Sequence, residues 1–330
     1  MKLTRIFLWT LATVGSMLLA GELQAARLSV LSPAANSYVE AGRVNLVLAF
    51  PDNDVSSVQA VVGRQRYAVQ VRQADSSGQA CLALQLQNGL NRIEIRAVDR
   101  QGAVTIQTLS VYRRSRLSKQ HQEPPAGYQR FYFHLPANEA VCASCHRMEA
   151  QLTDLQPARP EASPCYVCHK QVGQALYRHK PVANGACFSC HEVVQGRRKY
   201  LVRQPVQQTC FVCHNVQARQ WNGMKVHHGP TAVGNCTICH DPHGSDWPSF
   251  VAMHPTDLCL NCHQDKQSGT HVIAGFFAKG HPVRAATNPL RQSRPFSCAG
   301  CHNPHAGDSQ SLLNRDRSSF SVYCQSCHKL

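Results

Sequence analysis

Apolar and polar residues follow one rule in the first third of the chain and another in the rest. Between residues 27 and 112 they alternate: Val44, Leu46 and Leu48, then Leu82, Leu84 and Leu86, then Ile93, Ile95 and Ala97. A period of two puts every second side chain on one face of a strand. Turn residues punctuate the pattern at Pro51-Asp52-Asn53, at Asn88-Gly89 and from Asp99 to Gly102. Several short strands at such spacing predict a small all-β sandwich over 27–112. Cys81 is out of phase with Leu82, Leu84 and Leu86, so it is expected to face away from that core as an inert lone thiol.

What flanks this segment carries no such period. At the start, Lys2 and Arg5 precede an apolar run from Ile6 to Ala20, and the small residues between Gly21 and Ala26 suit cleavage after Ala25. Residues 1–25 therefore read as an export signal. No later stretch is long and apolar enough to span a bilayer, so the expected location is the periplasm, or the outer-membrane surface or exterior after export. After the sandwich, residues 113–127 (RRSRLSKQHQEPPAG) are basic and then Pro-rich, and read as a linker holding His121.

From residue 128 to 330 the pattern is a repeat. His134-Leu-Pro, His179-Lys-Pro and His228-Gly-Pro each stand eight residues ahead of a cysteine, at Cys142, Cys187 and Cys236. A fourth copy begins at His281-Pro-Val and reaches Cys298 through a longer loop. Of the chain's 17 cysteines, all but Cys81 fall in C-x-x-C pairs followed at once by histidine. In order, these motifs are Cys142/Cys145/His146, Cys165/Cys168/His169, Cys187/Cys190/His191 and Cys210/Cys213/His214 (motifs 1–4). Motifs 5–8 are Cys236/Cys239/His240, Cys259/Cys262/His263, Cys298/Cys301/His302 and Cys324/Cys327/His328. Only the odd-numbered motifs have the histidine lead, so the repeating unit holds two motifs and occurs four times.

The chemistry explains the spacing. Two thiols three positions apart add to the two vinyl groups of one porphyrin, and the next imidazole becomes the proximal ligand of its iron. Disulfides or four-thiolate zinc sites would also use paired cysteines, but neither accounts for a histidine after every pair. Eight covalent c-type haems are expected, with His146, His169, His191, His214, His240, His263, His302 and His328 proximal.

This part of the chain resembles the multihaem c-type cytochromes with doubled C-x-x-C-H motifs. The resemblance rests on the His228-Gly-Pro lead and on the tails Cys239-His-Asp-Pro-His243 and Cys301-His-Asn-Pro-His305. Arg147-Met148-Glu149 follow His146 and Glu192-Val193-Val194 follow His191, so units one and two lack the tail histidine. The stretch from Leu84 to Val104, with an N-G-x-N turn and a strand ending in A-x-D-x-x-G, resembles the closing strands of bacterial immunoglobulin-like domains.

Of 18 histidines, eight are proximal and ten remain. His121 lies far from any motif. The distal candidates are His134, His179, His227, His228, His243, His254, His271, His281 and His305. Only His134 and His179 lie between residues 128 and 226, so the first-half irons are expected to borrow, with His227 beside His228 the nearest source. Met148, Met224 and Met253 are the other potential donors.

Eight porphyrins on about two hundred residues leave too little chain for separate protein cores. The expected domain is mostly irregular, with short α-helices packed on haems and ending in the motifs. The formal charge of +15 looks like a nucleic-acid signal. From residue 128 onward, however, 20 Lys and Arg face 11 Asp and Glu, a net of +9, which ferric haems with ionised propionates, at about −1 each, nearly cancel. Nucleic acid is therefore not an expected partner.

The expected function is electron transfer along a haem chain, without catalysis. The resemblance implies redox-protein donors and acceptors, and a conduit in which an outer-membrane porin or surface cytochrome is a partner. The competing readings are an octahaem oxidoreductase acting on a nitrogen or sulfur oxyanion at an open iron, and a conducting filament subunit.

Overall fold

The computed structural model describes residues 27–52, 54–70, 78–143, 146–151, 154, 159–169, 172–192, 199–273, 280–314 and 320–328. The export signal over 1–25 and Cys145 lie outside the described residues. The N-terminal region is built of strands, and the C-terminal region is irregular with short helices.

Two sheets form the first region. Strands β1 (Ser29–Ser32), β3 (Arg43–Ala49) and β6 (Gln79–Gln85) make one, in the order β1-β3-β6. The other runs β5-β4-β7-β8-β2-β9, from β2 (Ser37–Val39), β4 (Val55–Val62), β5 (Gln65–Gln70), β7 (Gly89–Asp99), β8 (Val104–Arg113) and β9 (Gln129–Arg130). The alternation seen in the sequence becomes register: Val44 pairs with Leu84, Leu46 with Leu82, and Ile95 with Ala60. Their inward faces join one core in which Leu46, Leu48, Leu84, Ile93, Ile95 and Val111 are fully enclosed. Cys81 pairs with Val47 and is exposed, on the face away from that core.

Side chains build the turns. Asn91 Oδ1 accepts from the Gln87 amide at 2.9 Å, and its Nδ2 donates to the carbonyls of Gln87 and Gly89. Gly89, at φ +90°, supplies the left-handed step that only glycine adopts without cost. Asp99 Oδ1 accepts from the Ala103 amide at 2.7 Å, closing the next turn over Gly102.

Residues 113–127, expected as a solvated linker, fold back on the sandwich. Glu40 draws in three guanidinium groups, with Arg130 at 3.0 Å, Arg116 at 3.4 Å and Arg114 at 3.6 Å. The Gln129 amide donates to Asn36 O and the Phe131 amide to Tyr38 O, so β9 extends the larger sheet alongside β2. The basic run thus has a local acidic partner, and the strand edge supplies backbone acceptors, which composition alone does not reveal. Phe131 packs against the core, placing the sandwich's last contact beyond residue 128.

The second region alternates two local forms. Even-numbered motifs begin on short α-helices: α2 (Tyr166–His169), α4 (Val206–Phe211), α7 (Pro255–Leu260) and α8 (Phe320–Gln325). Odd-numbered motifs 3, 5 and 7 begin on single 3-10 turns at Cys187–Ser189, Cys236–Ile238 and Cys298–Gly300. The expectation of helices at the motifs therefore holds for the even set, whereas the odd set turns more tightly. Even there a motif can outrun its helix: Cys324 lies in α8, but Cys327 lies past its end. The leads are helix starts: α3 (Lys180–Ala183) and α6 (Gly229–Ala232) have His179 and His228 at the N-cap, with proline at the second position where its missing amide costs nothing. Helix α1 (Pro136–Glu139) plays the same part in unit one.

Candidate functional site

Seven of the motifs each close one helical turn. The amide of the motif histidine donates to the carbonyl of the first cysteine at Cys142, Cys165, Cys210, Cys236, Cys259, Cys298 and Cys324, with lengths between 2.8 and 3.1 Å. Residues three and four apart share a side of such a turn, so both thiols and the imidazole face one way.

The motif histidines do not stand alone. Seven of them lie opposite a second imidazole: His169 with His134 at 6.0 Å between ring centroids, His214 with His179 at 6.1 Å, and His263 with His228 at 6.1 Å. His328 faces His281 at 6.1 Å, His191 faces His243 at 6.2 Å, His240 faces His305 at 5.9 Å, and His302 faces His271 at 6.4 Å. Two imidazoles trans on one metal, each with a bond of about 2 Å and ~1.1 Å from nitrogen to ring centre, would put the centroids about 6.2 Å apart. The residues present fit a bis-imidazole iron.

Ring orientation adds to the fit. In His179, His191, His228, His240 and His302, Nδ1 lies 2.6–2.9 Å from a backbone carbonyl, of Pro242, Tyr200, Pro304, Ser249 and Ser311 respectively. A hydrogen bond from Nδ1 leaves Nε2 unprotonated and free to bind metal. For His191, His240 and His302 the acceptor is always nine residues downstream. Burial and neighbouring imidazoles also favour the neutral, metal-binding form. His169 is pushed down to about 4, chiefly by burial and then by His134, His243 and His191. His305 is likewise pushed down to about 4 by burial, His240 and His228.

The pairing follows a rule. Each lead histidine faces the even motif of its own unit, as with His179 and His214. Each tail histidine faces the odd motif of the unit before it, as with His243 and His191 or His305 and His240. Two-residue ladders hold this exchange: β10 (Tyr177–Arg178) pairs with β14 (Gly244–Ser245), and β13 (Val226–His227) with β15 (Ala306–Gly307). At the same places the amides of His179 and His228 donate to the carbonyls of His243 and His305.

Three expected positions behave differently. His227 contributes its backbone to β13 and has no imidazole opposite it among the described residues. The first-half motif that borrows takes His243 instead, because the ladder directs the tail backwards. His254 caps α7, its Nδ1 accepting from the Thr256 amide at 3.2 Å. That acceptor role puts its proton on Nε2, which then cannot ligate. His146 is exposed and faces no second imidazole among the described residues.

Unit one also differs around its lead histidine. His134 Nδ1 meets the buried carboxylate of Glu139 at 2.9 Å rather than a carbonyl, and Lys199 Nζ binds the other oxygen at 2.8 Å. Glu139 and Lys199 were not picked out from sequence, although a Glu five residues after the lead occurs only in this unit. Tyr200 packs edge-on against His134 at 4.8 Å.

Thiols of successive motifs touch. Hydrogen bonds join Cys165 to Cys187, Cys210 to Cys236, and Cys259 to Cys298, linking the even motif of one unit to the odd motif of the next. In each pair the hydrogen bond holds one thiol down, Cys165 and Cys236 to about 6 and Cys298 to about 7, while its partner is raised. Within a unit, Cys190 lies close enough to Cys213, and Cys239 to Cys262, to raise its pKa further beyond the effect of burial. Thiol neighbours therefore run in sequence from motif 2 to motif 7.

The even motifs turn their second thiol outward. Cys327, expected to attach the eighth haem together with Cys324, is exposed, and its Sγ lies 3.9 Å from Oγ of the adjacent Ser326. The second cysteines of the other even motifs, Cys168, Cys213 and Cys262, are exposed as well, so the even motifs present that thiol outward while the first cysteine of each stays partly covered.

Residues 179–219, 228–268 and 289–330 match the doubled CXXCH motif family. The paired motifs mark a multihaem c-type cytochrome. The chain is 26% identical over 108 residues to the multiheme cytochrome MtrA of Shewanella baltica, a match covering 33% of this chain and 27% of that protein. It therefore spans about a quarter of the relative's length. Among solved structures, the endo-β-1,4-mannanase of Thermotoga petrophila matches 28% of this chain and 21% of its own, at 10% identity and a TM-score of 0.23. The fibronectin(III)-like modules of Clostridium thermocellum CbhA match 26% of this chain and 95% of their own, at 13% identity and a TM-score of 0.21. Scores of that size define no shared fold. No helix among the described residues is long and apolar enough to cross a membrane.

Proposed function

We propose that this protein carries electrons along eight covalently bound c-type haems. The thioether bonds come from the sixteen cysteines of the motifs, from Cys142 and Cys145 through to Cys324 and Cys327, and the proximal ligands are the eight motif histidines. His134, His179, His228 and His281 serve as distal ligands of motifs 2, 4, 6 and 8, and His243, His305 and His271 of motifs 3, 5 and 7. The observation that carries this reading is the set of seven imidazole pairs at 5.9–6.4 Å, each motif histidine having a different partner. Bound haems supply iron centres that change by one electron, and an iron held by two imidazoles passes electrons without taking substrate.

The contacts between successive thiols support a continuous path, since they bring the attachment edges of neighbouring haems together. Protein groups then set the potentials through ligand hydrogen bonds and burial. The sandwich, read as an immunoglobulin-like domain over 27–112 with residues 113–130 docked on it, is a separate unit exported with the haem domain into the periplasm. The MtrA likeness supports redox proteins as partners, and a place in a conduit toward an outer-membrane porin or surface cytochrome.

The test is stoichiometric. Thioether-linked haem stays on the denatured chain, whereas zinc does not. Intact mass and pyridine haemochrome assay of the purified protein should both give eight haems per chain. A mass equal to the apoprotein with four zinc ions would refute the reading. The enzyme alternative draws on one observation only, that the ring of His146 faces no second imidazole among the described residues.

A further inference from the structure

We infer that the haem of motif 1 keeps one axial position of its iron open, opposite His146, and binds small π-acceptor ligands such as carbon monoxide or nitric oxide there. This rests on the haem-carrier reading above. It follows from the pairing rule rather than from His146 alone.

The odd motifs receive their second imidazole from the tail of the next unit: His191 from His243, and His240 from His305. Motif 1 should therefore receive its own from the tail of unit two. That tail reads His191-Glu192-Val193-Val194, where units three and four read His-Asp-Pro-His and His-Asn-Pro-His. Val194 occupies the ligand position, and its side chain has no lone pair to give. The last unit shows what compensation requires. Opposite His302 of motif 7, His271, from the loop between motifs 6 and 7, takes the place of a tail histidine at 6.4 Å. Unit one has no such substitute. The segment between motifs 1 and 2, from Arg147 to Pro164, contains no histidine at all.

The remaining histidines are committed elsewhere. His121 lies against the turn of the sandwich, where a Cβ on Gly89 would come within 2.9 Å of its Nδ1. His254 carries its proton on Nε2 while its Nδ1 caps α7. His227 sits in the ladder between units three and four. Met148 is two residues from His146, and two residues reach at most about 7 Å, too short to round the edge of a porphyrin and meet the opposite face. Lys199 fills the structural part of the missing latch but not its chemical part. Its amide donates to the carbonyl of the lead, His134, at 3.1 Å, the reverse of the bonds by which His179 and His228 donate to the tail carbonyls. Its ammonium is fixed between Glu139 and Glu149. His146 itself is exposed and borders a cleft with Pro136, Ala140 and Ala143.

The experiment uses the reduced holoprotein and carbon monoxide, counting equivalents bound from the Soret change. The native protein should bind one per chain. Cys142→Ser/Cys145→Ser should hold seven haems and lose that equivalent. Val193→Pro/Val194→His rebuilds the tail, should keep eight haems, and should also lose it, with the high-spin ferric EPR signal near g = 6 vanishing at the same time. No binding by the native protein overturns the inference, as does binding that survives in the cysteine variant. Binding unchanged by the restored tail overturns it too, because the open position would then not follow from the pairing rule. A native protein with far fewer than eight haems would instead count against the carrier reading, whereas eight haems without carbon monoxide binding would sink this inference alone.

Discussion

Replacing Glu139 by Gln should raise the potential of the haem of motif 2 while leaving its ligands in place. Glutamine keeps an oxygen to accept from His134 Nδ1, so only the charge is lost. An iron on Nε2 would lie about 4 Å beyond Nδ1 across the ring, and the carboxylate oxygen is 2.9 Å on the other side. At a total separation of about 7 Å and an effective dielectric of about 20, removing one negative charge destabilises the ferric state by about 2.4 kcal/mol. At 59 mV for each 1.4 kcal/mol, that is a rise on the order of 100 mV.

Lys199 supplies the internal control. Its ammonium, 2.8 Å beyond the carboxylate, would stand about 9.5 Å from the iron, and Lys199→Gln should lower the potential by about 70 mV. The two variants must therefore shift one haem in opposite directions. A potentiometric titration followed by EPR resolves that haem from the others. Shifts below about 20 mV, or shifts of the same sign, would mean that the Glu139 carboxylate does not act on the iron through His134.

Other expectations follow from the same geometry. His243→Ala should open the iron of motif 3, a unit earlier in the chain, and add one carbon monoxide equivalent, whereas His227→Ala should add none. A fragment of residues 27–131 should be more stable than one of 27–112 by roughly 2–3 kcal/mol, since the shorter piece loses the backbone bonds of Gln129 and Phe131; equal denaturation midpoints would show that β9 contributes nothing. Ile95→Ala should cost about 2–5 kcal/mol in the sandwich and leave the haem spectrum unchanged. Asp154 is held below the ordinary carboxylate range mainly by its hydrogen bond from Arg147. Its contribution is therefore complete above the unfolded value of about 3.9 and lost as pH falls through the lower folded one. Proteolysis of the loop after motif 1 should accelerate over that acid range, and Arg147→Gln should remove the step.

The paired motifs and the stranded N-terminal region were legible in the sequence because each has a short-range signature. Two cysteines and a histidine within five residues define a haem site without any knowledge of the fold. Val44, Leu46 and Leu48 define a strand face in the same way. Strand β4 was harder to read, since a register shift between Val55 and Ser57 breaks its period. Strand β8 exposes Ile106 while burying Leu109 and Val111. The distal ligands were legible only as a pool of candidates. Choosing His243 rather than His227 for His191 depends on a two-residue ladder whose strands lie more than sixty residues apart in sequence, and no local pattern announces it. The docking of residues 113–127 depends likewise on Glu40, a single acidic residue distant in the chain.

The pairing rule also constrains how the haem domain holds together. Within a unit, the lead histidine and the even motif would be joined by one iron. Between units, the tail histidine and the preceding odd motif would be joined by another. In that reading iron would be a cross-link at every joint from unit two to unit four, where the described residues offer two-residue ladders and a few side-chain contacts. Buried apolar side chains of this region, such as Phe188, Leu258 and Ala306, are too few to form a core, unlike the cluster in the sandwich. Between units one and two the joint has no tail imidazole. There Lys199, bound by Glu139 and Glu149, replaces a coordinate bond with ion pairs. The first unit would then be held by salt-sensitive contacts where the others would be held by metal, and the same substitution that loosens the joint would leave the iron of motif 1 accessible.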